Sequence, residues 1–164
     1  MADEVKIRET ERRDCKELNR LIHELAKFEE MPDGPKLNAE ILERDGFGEN
    51  PLFYGYVAEI NNQIIGYAIY YYTYSTWCGK SMFLNDIFVL PAFRIKGIGG
   101  LLFDAIVKKA ADVKCGRLDF SVLEWNPAAN FYKHRGVTDI TETEKWHQYR
   151  MEFDAIEKYV QNKK

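Results

Sequence analysis

The sequence is poor in cysteine, in proline and in long apolar runs, and each shortage closes off a class of protein. Cys15, Cys78 and Cys115 are odd in number, far apart and without a CxxC pair or a histidine at ligand spacing, which argues against a disulfide framework and against a zinc site. They are expected as reduced thiols, with no resident metal. No run approaches the roughly 20 apolar residues that a membrane-spanning helix needs, and Met1-Ala2-Asp3-Glu4-Val5-Lys6 has no apolar core of a signal sequence. The expectation is a soluble, cytoplasmic protein without a membrane partner. Positive charge is also short: 23 Lys and Arg stand against 26 Asp and Glu, a formal net charge of −3. Nucleic-acid binding needs the opposite balance, so no nucleic-acid partner is expected and a cationic one fits better. With no internal repeat, linker or low-complexity tract, residues 1–164 are expected to form one domain large enough to bury its own core.

What is present is a regular succession of strand and helix patterns. Val5 to Arg8 alternates as a short strand, and Asp14 stands where a helix cap belongs, before Leu18, Leu21, Ile22, Leu25 and Phe28 at helical spacing. Pro32 to Pro35 breaks that helix, and Asn38 is placed to cap a second one ending near Gly46. Residues 53–60 and 63–74 are β-rich and flank Asn61-Asn62, a hairpin signal. A turn at Trp77 to Lys80 leads into a further antiparallel strand from Phe83 to Leu90. A helix over 99–113 follows, then a strand over 118–123, parallel to the preceding strand because a helix intervenes. Asn126-Pro127 signals a short helix closed by Gly136. Residues 146–153 alternate as a late strand, and the lysine-rich tail after Ile156 is expected as a fraying helix.

The chemistry-bearing stretch is the glycine turn between strand and helix, Arg94-Ile95-Lys96-Gly97-Ile98-Gly99-Gly100. Three glycines in four residues at a helix entrance are costly to order. Bare N–H groups at a helix start, unobstructed by Cβ atoms, suit a phosphate or pyrophosphate. A structural glycine turn, a nucleotide P-loop and a coenzyme A pyrophosphate seat all fit the local spacing. The P-loop fails for want of Gly-Lys-Ser/Thr, and the Rossmann spacing is absent.

Taken with its flanking elements, this turn resembles that of the GNAT superfamily of acetyl-CoA-dependent N-acetyltransferases. The chain is most similar to the diamine (spermidine/spermine) acetyltransferases and their thialysine-acetylating paralogues. The matching residues are Glu24 to Glu29, Asp45 to Gly48, Ile69 to Tyr71, Ser75-Thr76-Trp77, Arg94 to Gly99, Glu124-Trp125-Asn126 and Phe131-Tyr132-Lys133. The resemblance implies an α/β GNAT (acyl-CoA N-acyltransferase) fold, with a mixed, mostly antiparallel central sheet flanked by helices. It implies that acetyl-CoA sits where the strands ending near Leu90 and Leu123 splay. It further implies that Ile87, Phe88 and Val89 pair through their backbone with the pantetheine arm, that Arg94 and Ile95 to Gly100 hold the pyrophosphate, and that Asn126 contacts the arm. Tyr132 is implied as the acid that protonates the departing thiolate. A phenol with an ordinary pKa of about 10 stays protonated at neutral pH and can do so.

The implied reaction is direct acetyl transfer to a primary amine of a small cationic acceptor, by an enzyme expected as a homodimer whose acceptor pocket is shared across the interface. Phe28, Glu29, Ser75, Trp77, Asn85, Asp119 and Glu144 are implied on the acceptor side. Three departures from the relatives bear on mechanism. Asn85 stands where the polyamine enzymes carry a glutamate base, and an amide cannot accept a proton. Asp86 follows, but adjacent residues of a regular strand face opposite ways. Glu29, Glu124 and Glu144 are the alternative bases, direct or through water. Ser75 replaces an aspartate of the spermidine enzymes, which favours a short diamine or an amino acid with a lysine-like ω-amine over spermine. The segment from Asn126 to Tyr132 is one residue shorter than in the relatives. Protein or peptide lysine as acceptor, and a coenzyme A-binding module with little catalysis, are the competing readings. His23 and His134 are expected in solvent, His147 in a strand, and Trp77 and Trp125 either along the acceptor channel or in the core. The cysteines receive no catalytic part.

Overall fold

The computed structural model describes residues 4–163, apart from the side chains of Ile95 and Lys96, which the expected pyrophosphate seat includes. The chain divides into two compact units, residues 1–123 and 124–164.

The first unit is built on a five-stranded sheet in the order β1 to β5: β1 (Lys6–Glu9), β2 (Tyr54–Ile60), β3 (Gln63–Ser75), β4 (Gly79–Val89) and β5 (Leu118–Phe120). The first four strands are antiparallel neighbours, and β5 lies parallel to β4. The β2–β3 hairpin turns at Asn61 and Asn62, with φ of 49° and 62°. Positive φ at both positions is what a type I′ turn demands, and asparagine tolerates it. Three α-helices among the described residues belong to this unit: α1 (Cys15–Phe28), α2 (Ala39–Phe47) and α3 (Ile98–Asp112). Asn38 caps α2 as expected, its Oδ1 accepting from the Ile41 amide at 2.9 Å.

The apolar stripe of α1, with Leu18, Leu21 and Leu25, shares one core with Val57, Tyr67, Ile69 and Phe88 of the sheet. Alternation along β3 puts Tyr67 and Ile69 on that face and Ala68 and Tyr70 on the other. Lys109 of α3 pairs with Glu9 and reaches Tyr56, the β2 partner of Ala68, so α3 covers the second face. Its buried Ile98, Leu102, Phe103 and Ile106 fill that layer.

Asp14 does not cap α1. It is buried, 4% exposed, at the end of a short 3-10 turn (Arg12–Asp14), and accepts from both ends of the Arg8 guanidinium at 2.7 and 3.0 Å and from the Glu11 amide at 2.7 Å. The same guanidinium donates to Glu59 at 2.7 Å. A two-acid, one-base cluster has taken the carboxylate that the sequence suggested for a cap.

The second unit holds α4 (Ala128–Lys133), α5 (Thr141–Glu144) and α6 (Phe153–Gln161). Asn126 caps α4 through its Oδ1, which accepts from the Ala128 amide at 3.0 Å, and Gly136 follows with φ of 78°. The expected late strand over 146–153 is absent, and α6 begins at Phe153 rather than after Ile156. Side-chain alternation alone does not make a strand. A ladder partner is required, and the second unit has no strand among its described residues to supply one. Trp146, Tyr149, Met151 and Phe153 are exposed in consequence.

Candidate active site

The site is organised by an irregularity in β4. Up to Leu84 the strand is paired on both sides, with Tyr70 of β3 and with Phe120 of β5. At the next residue the register breaks: Ile69 pairs with Asp86 and Tyr70 with Leu84, so Asn85 is an extra residue, a β-bulge. The pairing with β5 ends at the same place, which is why β5 spans Leu118–Phe120 instead of the expected 118–123. Beyond the bulge, the Leu90 amide donates to the Ile65 carbonyl at 2.9 Å. That bond makes Gly66–Val89 a non-hydrogen-bonded antiparallel pair, so the N–H and C=O of Val89, and of Ile87 two residues earlier, point away from β3. They face the side that β5 has left. Phe88 differs from these two: its backbone is directed at β3 and its side chain is buried against Tyr67.

The bulge also cancels the alternation that would have sent Asp86 to the face opposite Phe83. Ile69 and Tyr71, on one face of β3, pair with Asp86 and Phe83, so both lie on the α1 side. There the Tyr67 hydroxyl donates to Asp86 Oδ2 at 3.2 Å and the Asn85 amide donates to Oδ1 at 3.0 Å. Desolvation raises the Asp86 pKa despite these two bonds, which pull the other way. Glu29, at the C-terminal end of α1, is raised as well, by desolvation and then by the charge of Asp86. Neither carboxylate makes an ion pair among the described residues. Tyr67, buried beside both, is pushed well above the ordinary phenol value by desolvation and by Asp86. Phe28 precedes Glu29, and the Arg94 guanidinium lies over its ring, 4.5 Å from the centroid.

Behind the open edge, Gly97 stands at φ 72° as the residue entering α3, a left-handed conformation that favours glycine. A Cβ at Gly97 or Gly99 would meet nothing within 4 Å, so the space beside both is free. No side chain caps α3 and no acidic residue lies in its first turn. The first amides of a 15-residue helix lack intrahelical partners and suit an external acceptor, which makes this helix start electropositive.

Other expected site residues are placed differently. Ser75 is buried at the far end of β3, where its Oγ accepts from the amides of Trp77 and Cys78 at 3.1 and 3.3 Å, organising the turn. Ser75 and Trp77 lie about 20 Å along the strand from the partner of Asp86. Trp77 is 85% exposed and Trp125 half exposed, so neither fills the core. Asp119 is in an ion pair with Arg117 at 2.7 Å. In the second unit, exposed Glu144 accepts from the Trp146 indole at 3.0 Å, and Glu124 is exposed. Tyr132 is buried, its pKa pushed up to about 12 by desolvation, with Phe131 edge-on at 5.0 Å. Of the histidines, His134 and His147 are exposed, while His23 is half-buried on α1.

Sequence reasoning missed Asp86 with its Tyr67 partner. The available signal was the polar doublet Asn85-Asp86 inside an otherwise apolar strand, which breaks a period of two.

An open strand edge leading to an uncapped glycine helix start, with two carboxylates free of ion pairs among the described residues on the α1 side of the same strand, suits an acyl-coenzyme A transferase. Accordingly, the Acetyltransferase (GNAT) family pattern matches residues 18–137, and the chain belongs to that family of acetyltransferases. Among curated proteins it is similar to the thialysine N-epsilon-acetyltransferase of Sus scrofa, 41% identical over 161 residues covering 93% of this chain and 95% of the relative. It is also 42% identical to the human spermidine/spermine N(1)-acetyltransferase-like protein 1, over 94% of this chain and 23% of that protein. Among solved structures, an integron cassette protein of V. cholerae superimposes with a TM-score of 0.76 at 26% identity, covering 95% of this chain and 97% of its own.

Proposed function

We propose that this chain transfers the acetyl group of acetyl-CoA to the primary amine of a small cationic acceptor, a short diamine or an amino acid with a lysine-like ω-amine. The observation that carries the reading is the bulge at Asn85, which opens the edge of Ile87 and Val89 and turns Asp86 toward Glu29 at one point in the strand. The arm of acetyl-CoA pairs with that edge as an added strand, and its pyrophosphate takes the amides of residues 97–100. The Arg94, Ile95 and Lys96 segment belongs to the same seat, and Asn126 contacts the arm.

The acceptor arrives as an ammonium with a pKa of about 10.4 and must lose a proton before its nitrogen can attack the thioester carbonyl. Asp86, raised by desolvation and next to like-charged Glu29, replaces the expected glutamate as the proton acceptor. This answers the objection posed by Asn85, whose amide instead positions the Asp86 carboxylate. As the carbon–sulfur bond breaks, the thiolate takes the phenolic proton of Tyr132. Glu29 and Phe28 hold the cation. Since Ser75 and Trp77 lie at the other end of β3, their part in an acceptor site calls for a second copy of the chain, and the exposed Trp77 supports a homodimer. Asp119 and Glu144 act, on the same reading, at the rim. No helix among the described residues is long and apolar enough to cross a membrane, in keeping with a cytoplasmic enzyme.

The names of the relatives favour thialysine-like and polyamine acceptors over protein lysine. Mass spectrometry of products from a panel of diamines, lysine analogues and lysine peptides tests this. Acetylation of the small amines with higher kcat/KM than the peptides is expected. Acetyl-CoA binding with no acetylated small amine at neutral to mildly alkaline pH would refute it.

A further inference from the structure

Arg94 turns its side chain back onto the strand it follows. Its Nε–H donates to the carbonyl of Val89 at 2.9 Å, and its guanidinium carbon lies 4.5 Å from the centroid of Phe28 and 5.3 Å from that of Phe88. The carbonyl it takes is one that β4 directs away from β3, at the edge without a strand partner. The rings it covers belong to the α1 side, where Glu29 continues from Phe28 and Asp86 lies two residues before Phe88. An arginine in a phosphate-binding turn would be expected to aim its charge at the helix start. Here one side chain instead closes the cofactor edge and the aromatic wall of the acceptor side together.

We propose that Arg94 is a displaceable latch, which occupies the Val89 carbonyl and lies across Phe28 and Phe88 until a pantetheine amide N–H takes that carbonyl from it. The latch rests on reading the β4 edge as the arm site. With the latch closed, an ammonium approaching Glu29 and Asp86 meets a like charge at Phe28. Once the guanidinium is displaced, the carboxylates act on it unopposed. Acceptor affinity is thereby tied to cofactor occupancy through a single side chain, and the coupling is reciprocal.

Acetyl-pantetheine separates this role from any contact with phosphate, because it carries the arm and thioester but no pyrophosphate. Calorimetry on the intact protein is expected to show Arg94→Ala and Arg94→Gln binding acetyl-pantetheine about tenfold tighter than the wild type, the equilibrium worth of one hydrogen bond. A measurement on the unaltered protein supports it. The Arg94 Nε–H resonance, assigned by its loss in Arg94→Gln, is expected to shift when acetyl-pantetheine is added. If the wild type fails to bind acetyl-CoA, the edge reading falls and the latch with it. If acetyl-CoA binds while acetyl-pantetheine affinity is equal or weaker in the variants, or the resonance stays in place, the latch alone is overturned.

Discussion

Two carboxylate pairs in the first unit are held in opposite ways. Asp14 and Glu59 share the guanidinium of Arg8, with contacts of 2.7 Å to each. Desolvation pulls the Asp14 pKa upward, but the Arg8 hydrogen bonds and the Glu11 amide outweigh it and the net shift is downward. Glu29 feels the charge of Asp86, neither makes an ion pair among the described residues, and both shift upward. Asp14 stays charged, and the shared Arg8 guanidinium ties β1 and β2 to the start of α1. The second pair is kept reluctant to ionise, which suits acids that must gain and release a proton. Desolvation acts on Asp14, Glu29 and Asp86 alike, and the presence of a countercharge separates the structural acid from the two proposed as reactive.

The largest expected effect breaks the reactive pair. Asp86→Asn keeps an oxygen for the Tyr67 hydroxyl but cannot accept a proton, so kcat should fall by about 10²–10⁴. Titration calorimetry should show acetyl-CoA affinity unaltered, and an undiminished kcat would remove Asp86 from the mechanism.

Next comes the structural pair. Arg8→Met leaves buried Asp14 and half-buried Glu59 uncompensated and should cost about 3–5 kcal/mol in urea unfolding. The two pairs also predict opposite pH dependences. Asp14, depressed in the folded state, contributes stability that is full above its unfolded pKa and lost as pH falls through the folded one. Asp86, raised in the folded state, costs most above its folded pKa, and that cost disappears as pH falls to the unfolded value. Arg8→Met should therefore lose its stability deficit in acid, while Asp86→Asn should be stabilised at neutral pH and lose that advantage in acid.

The smallest effect sharpens the comparison inside the reactive pair. Glu29→Gln removes one of two charges from the proposed cation site, so KM for the amine should rise about tenfold. It also removes the like charge beside Asp86, so the acidic limb of kcat/KM should move to lower pH. A KM change without that movement would mean that the two carboxylates act independently.

How much was legible beforehand follows from how local each cause is. The Asn61-Asn62 turn, the Asn38 cap and the glycine entry to α3 are each decided within a few residues, by φ preference or by one side-chain oxygen, and the sequence shows them. The face of Asp86 was misjudged because its orientation depends on the register against β3, nineteen residues away from Tyr67. Residues 146–153 alternate as a strand should, yet a strand is a relation between two segments, and alternation describes one. Asp14 has the residue type and position of a cap, but the Arg8 guanidinium, which the β1–β2 pairing also brings to Glu59, claimed its carboxylate.

The uncapped start of α3 ties folding to supply. A helix whose first amides are finished by a diffusible anion gains stability by mass action: at a hundredfold excess over the dissociation constant the gain is about 2.7 kcal/mol. On the proposed reading that this anion is the pyrophosphate of acetyl-CoA, chains that meet the co-substrate would be harder to unfold and to degrade than chains that do not. Its concentration would then help decide how many copies of the enzyme persist, as well as how fast each one works.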